Sequence, residues 1–152
     1  MRLTPNFHLR EFTRSQTAAR AGIPNEPSKN QIATLRFWCE EIGEPARERF
    51  DAPVRISSGF RSPALNKAVG GSPNSQHQRG EAADFEVVGH SNLEVARFVR
   101  DELFFDQLIL EFWDGRDPHS GWIHCSVTRG CRARGEVLQM VKGKGYVRGL
   151  PE

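Results

Sequence analysis

The stretch Ser75-Gln76-His77-Gln78-Arg79-Gly80-Glu81-Ala82-Ala83-Asp84, answered further along by Trp122-Ile123-His124, constrains this chain more than any other. It supplies two imidazoles and a carboxylate, ligand types that suit a borderline divalent ion such as Zn²⁺. A catalytic zinc site takes three such protein ligands and leaves its fourth place to water. His77 follows a run of turn formers, Gly70-Gly71-Ser72-Pro73-Asn74-Ser75, whereas Asp84 sits in Ala82-Ala83-Asp84-Phe85-Glu86-Val87-Val88, which reads as a strand. Between them Gly80 gives the backbone freedom to turn the chain back on one point. His124 belongs to a second predicted strand, Trp122 to Val127, where alternation turns its side chain opposite to Ile123 and Cys125. The expected donors for a single Zn²⁺ ion are thus His77, Asp84 and His124.

The remaining pattern predicts an α+β domain. Thr13-Arg14-Ser15-Gln16 reads as a capping box opening a short helix that stops at Gly22, and Ser28-Lys29-Asn30-Gln31 as a second. Behind the second, Ile32, Leu35, Cys39, Ile42 and Ala46 form an apolar stripe at helical spacing, which Pro45 should kink or break. Val54 to Ser57 reads as a strand, and Ser62-Pro63 starts a short helix ending near Gly70. Ser91-Asn92-Leu93-Glu94 reads as a third capping box, before a helix presenting Leu93, Ala96, Val99 and Leu103. Gln107 to Phe112 and Glu136 to Val141 complete the strands. The expectation is one domain over residues 1–152: a small, mainly antiparallel sheet with helices on one face and the metal site on the other.

Bulk properties bound the function. The formal net charge of +2 and 26% charged residues are ordinary for a soluble protein and carry no nucleic-acid signature. The local excess of Arg129, Arg132 and Arg134 reads as a solvated loop. No apolar run reaches membrane-spanning length, and the first residues lack the apolar core of a secretory leader. A cytoplasmic protein, at least initially, and a monomer are expected. Three cysteines without a Cys-x-x-Cys pair argue against a disulfide framework.

Taken in order, Ser58-Gly59-Phe60-Arg61-Ser62, then Ser75, His77, Gly80, Ala82 and Asp84, then Trp122 and His124 resemble the M15 family of zinc peptidases, the D-alanyl-D-alanine carboxypeptidase group. Asp106 to Phe112 resembles the segment that carries the catalytic glutamate in phage-type members. Phe7 to Gly22 and Pro45 to Phe50 also resemble phage and prophage members. The resemblance implies a Hedgehog/D-Ala-D-Ala-peptidase-like fold, a peptidoglycan stem-peptide substrate and hydrolysis at a zinc ion. Without a secretion signal, a lysin held in the cytoplasm until released to the wall would fit.

Roles follow from chemistry and resemblance together. Glu111, at a strand end, is the expected general base, because a carboxylate can take a proton from water and return it to the leaving amine. His119, in the loop before His124, is a second catalytic candidate, since some family members use a histidine to stabilise the oxyanion. Its alternative is an exposed loop residue. Arg61 is expected to bind substrate, by the two-pronged grip of a guanidinium on a carboxylate, or else to brace the ligand loop with a salt bridge. Ser75 can bond substrate backbone or cap its own loop. Two other readings remain: a cysteine hydrolase built on Cys125, which needs an accessible, perturbed thiol, and a non-catalytic zinc-containing phage structural or wall-binding module.

Overall fold

The computed structural model describes residues 1–130 and 133–152. A two-stranded ribbon, β1 (Arg2–Thr4) and β2 (Phe7–His8), leads into α1 (Leu9–Thr13). His8 caps α1: its Nδ1 accepts from the Arg10 amide, and the Glu11 carboxylate accepts from the His8 amide. Then follow α2 (Gln16–Ala21) and α3 (Lys29–Trp38). Ser15, and not Thr13, caps α2, because Thr13 is already the last residue of α1. Ser28 and Gln31 form the expected capping box.

Pro45 does not break the helical run. A single π-turn, Cys39–Gly43, joins α3 to α4 (Glu44–Phe50), with the Glu44 amide bonding back to the Cys39 carbonyl. Proline lacks a donor and crowds the carbonyl four residues earlier, and widening the preceding turn relieves both conflicts. The stripe therefore stays on one face, with Leu35, Trp38, Cys39, Ile42 and Ala46 all fully buried.

The remaining elements are β3 (Val54–Ser58), α5 (Pro63–Ala68), a 3₁₀ turn (Gln76–Arg79), β4 (Ala82–Val87), α6 (Asn92–Glu102), β5 (Gln107–Glu111), β6 (Trp122–Ser126), β7 (Glu136–Val141) and β8 (Gly145–Arg148). Ser91 caps α6 through the Glu94 amide, while the Glu94 carboxylate turns to His90. The buried face of α6 is Asn92, Val95, Ala96 and Val99, with Leu93 only partly covered.

Six strands form one sheet in the order β3-β4-β6-β5-β7-β8. Every neighbouring pair is antiparallel except β5 and β7, which run parallel. Alternation sorts the two faces. Ala83, Phe85, Val87, Leu108, Leu110, Ile123 and Cys125 pack into the core with Leu35, Trp38, Ile42, Val95 and Val99. Trp38 ties the layers: its indole N–H donates to the Cys125 carbonyl at 3.0 Å, and its ring meets Phe85 edge-on at 5.5 Å. The opposite face carries Asp84, His124 and Glu111. The expected architecture of helices on one face and a polar site on the other holds for α3, α4 and α6. The 3₁₀ turn and the loop after α5 instead border the polar face.

Candidate metal centre and its cleft

Register places the ligands. Asp84 and His124 are direct partners across β4 and β6, so their side chains rise from the same face as neighbours. His77 reaches them from the 3₁₀ turn, which Ser75 caps by accepting from the His77 amide. Gly80 ends that turn in the left-handed region at φ 72° and delivers the chain into β4.

Three donor atoms converge. His77 Nε2 lies 3.3 Å from His124 Nδ1 and 3.4 Å from Asp84 Oδ1, and His124 Nδ1 lies 3.0 Å from the same oxygen. Around a tetrahedral ion with bonds of about 2.0–2.1 Å, ligand atoms stand about 3.3 Å apart, so this triangle has the right size. His77 Nδ1 is 2.7 Å from the Gly59 carbonyl. That acceptor places the ring proton on Nδ1 and leaves the Nε2 lone pair facing the other two donors. Three ligand atoms at this spacing form a triangle that a cation can fill. These residues fit one ion with an open fourth position.

Burial disfavours the Asp84 carboxylate, yet the two imidazoles beside it outweigh burial and hold its pKa well below the usual range. Arg61 sits on its other oxygen at 3.6 Å, and also donates to Ser58 and Asn66. The bracing role of Arg61 is thus visible in the fold, while the residue also lines the cleft.

That cleft holds about 720 Å³ and is bordered by the three donors, Arg61, Ser75, Glu111, Trp122 and Tyr146. Glu111 pairs across the strands with Trp122 on β6, next to the strand register of His124. Its carboxyl is raised above the ordinary value, first by burial and then by the Asp84 charge, against the opposing pull of His124. His119 is not brought to this place. It is exposed and borders a separate hollow with Arg55, Glu86 and Val88, because the 112–121 loop leads away from the metal face. Cys125 is fully buried on the core face, and burial pushes its thiol far up, the opposite of what a nucleophile needs.

The profile of the peptidase M15 family matches residues 5–126. The chain belongs to the peptidase M15 family. A curated relative, the zinc D-Ala-D-Ala carboxypeptidase of Streptomyces albus G, is 25% identical over 115 residues, covering 76% of this chain and 44% of that protein. The chain thus spans less than half the length of that relative. All three donors, Arg61 and Glu111 lie inside the family match, whereas β7 and β8 lie beyond it.

Several cleft residues were given no role by the sequence motifs. Asp106 is buried, accepts from Gln76, and is gripped by the Arg134 guanidinium at 2.8 Å. Arg134 is therefore an anchored ion-pair partner and not a freely solvated loop cation; Arg132 lies outside the described residues. The network ends one residue from His77, so it ties the segment preceding β7 to the ligand turn. Tyr146 reaches the cleft because Glu111, Met140 and Tyr146 are in register across β5, β7 and β8. Its phenol is raised by partial burial and by the Glu111 charge. Their signal, a cross-strand row on one face, requires knowing the strand order. Among the described residues, no helix is long and apolar enough to cross a membrane.

Proposed function

We propose that this chain is a zinc metallopeptidase that hydrolyses a peptide bond in bacterial cell-wall stem peptides, with Glu111 as the general base. The observation that carries the reading is the placement of Glu111, a half-buried carboxylate with a raised pKa, in the same cleft as three convergent donors. The name of the Streptomyces relative supports zinc as the metal and D-Ala-D-Ala as the first bond to test.

His77, Asp84 and His124 would hold the ion. When bound, a zinc ion polarises a carbonyl and lowers the pKa of water. Glu111 takes the proton released by the attacking water and delivers it to the amine of the departing residue. Its raised pKa suits that return, because the carboxyl must keep the proton until the amine can receive it. Arg61, fixed by Ser58, Asn66 and Asp84, offers its remaining donor capacity to a substrate carboxylate or to the developing oxyanion. Ser75 caps the ligand turn and borders the cleft, where its hydroxyl can meet substrate backbone.

Mass spectrometry of purified peptidoglycan fragments, digested with and without added zinc, tests the proposal. Release of terminal D-alanine marks a carboxypeptidase, and internal cleavage an endopeptidase. Cleavage should disappear with chelator and in Glu111→Gln. Tight binding of fragments with no cleavage under any metal condition would point to a wall-binding module. Unimpaired cleavage by Glu111→Gln would remove Glu111 from the role of base.

A further inference from the structure

We infer that the hollow on the far side of Arg61 is a second binding groove, which holds a carboxylate-bearing arm of the peptide substrate while the scissile bond lies in the metal cleft. The inference rests on the peptidase reading above and adds where the rest of the substrate goes. The hollow has a volume of about 760 Å³ and runs between α2, the outer edge of β3 and α5. Arg61 borders both this hollow and the metal cleft. The Arg61 guanidinium is thus a wall common to both hollows.

The charge of the groove is one-sided. Arg14, Arg55 and Arg61 line it, and no Asp or Glu does among the described residues. Arg14 donates to the Ile56 carbonyl at 3.2 Å, a neutral acceptor that fixes the side chain along the edge strand without cancelling its charge. Arg55 is exposed on β3; its cross-strand neighbour Glu86 accepts instead from Asn92. Arg61 alone is matched, by Asp84. Among the described residues neither Arg14 nor Arg55 forms an ion pair, although Glu86 stands opposite Arg55 on β4, and a concave site lined by such cations concentrates anions. The ligand class follows from the donors: guanidinium prefers planar carboxylates, while Gln16, Thr17 and Ser57 beside it suit peptide backbone.

Two synthetic peptides with one scissile sequence test this, one with acidic side chains free and one with them amidated. The parent protein should show about a tenfold lower KM for the acidic peptide, the gain that one charge-assisted contact of about 1.4 kcal/mol provides. The double variant Arg14→Gln/Arg55→Gln should lose that preference with kcat unchanged and leave both constants for the amidated peptide alone. Equal KM for the two peptides in the parent, or equal KM changes for both in the variant, would overturn the groove. Calorimetric titration of Glu111→Gln protein with the same peptides reads the groove without catalysis. Discrimination there with no cleavage by the parent would sink the peptidase reading and leave the groove standing. Cleavage by the parent with no discrimination in either measurement would do the reverse.

Discussion

Glu111 is useful for the same reason that it is costly. Burial raises its carboxyl, so its folded pKa exceeds its unfolded one. A group shifted in that direction stabilises the fold while protonated, and that contribution is lost as pH rises through the raised value. In metal-free protein at neutral pH, the ionised side chain is therefore a burden. Glu111→Gln should melt above the parent at pH 7 in chelator, with the advantage fading toward pH 4, while peptidase activity falls about 10²- to 10⁴-fold. A lower melting point at pH 7 would contradict the burial of the carboxylate. The convergence of His77, Asp84 and His124 was legible in the chain because ligand chemistry admits few residue types and their order is restrictive. Tyr146 and Asp106 were not, since a lone tyrosine or aspartate says nothing of its partner two strands away.

Elements position what residues perform, and the hairpin between β5 and β6 does so most directly. Gly121 lies in the left-handed region at φ 67°, and a Cβ there would collide with the Glu111 carbonyl oxygen. Phe112, the next residue after Glu111, also holds a positive φ of 55° and stacks near Trp122 at 5.5 Å. The base therefore sits on a tightly constrained return. Gly121→Ala should cost about 1–3 kcal/mol in denaturant unfolding. It should also lower kcat more than KM rises, because it moves the base more than the Arg61 side of the cleft. Full stability with unchanged kcat would show that the loop relaxes without moving Glu111. Long, strongly patterned elements such as α3, α6, β5 and β6 follow their apolar spacing closely. The ribbon of β1 and β2, with α1 behind it, escaped that reading because elements of two to five residues complete no hydrophobic period. The π-turn escaped it for another reason. Proline chemistry announces a disturbance, and only the packing of Ile42 and Ala46 decides that the helix continues past it.

Across the whole molecule, one face of the sheet builds the core and the other gathers charge. Packing of the apolar face holds Asp84 and His124 in register and keeps three ligand atoms within 3.4 Å of one another. A cation that needs this triangle binds only the folded chain, so binding and folding are coupled. A ligand that binds only the native state adds RT ln(1 + [L]/Kd), about 2.7 kcal/mol at a free concentration one hundred times Kd. For a domain of this size each kcal/mol moves the melting point by about 2–4 °C, which predicts a rise of about 5–10 °C on adding zinc to chelated protein. His77→Gln removes one donor and should flatten that rise. Asp106→Asn should reduce it in part, because Asp106 holds Gln76, the first residue of the ligand turn, and is itself held by Arg134. The Arg134 guanidinium keeps the Asp106 carboxyl below its ordinary range. That contribution is present above the unfolded pKa and disappears as pH falls through the folded one, so the two proteins should converge in strong acid. Differential scanning calorimetry of the three proteins, with zinc and with chelator, measures both effects. An undiminished zinc-dependent rise in His77→Gln would mean that the stabilising ion is held somewhere other than between these two strands and their turn.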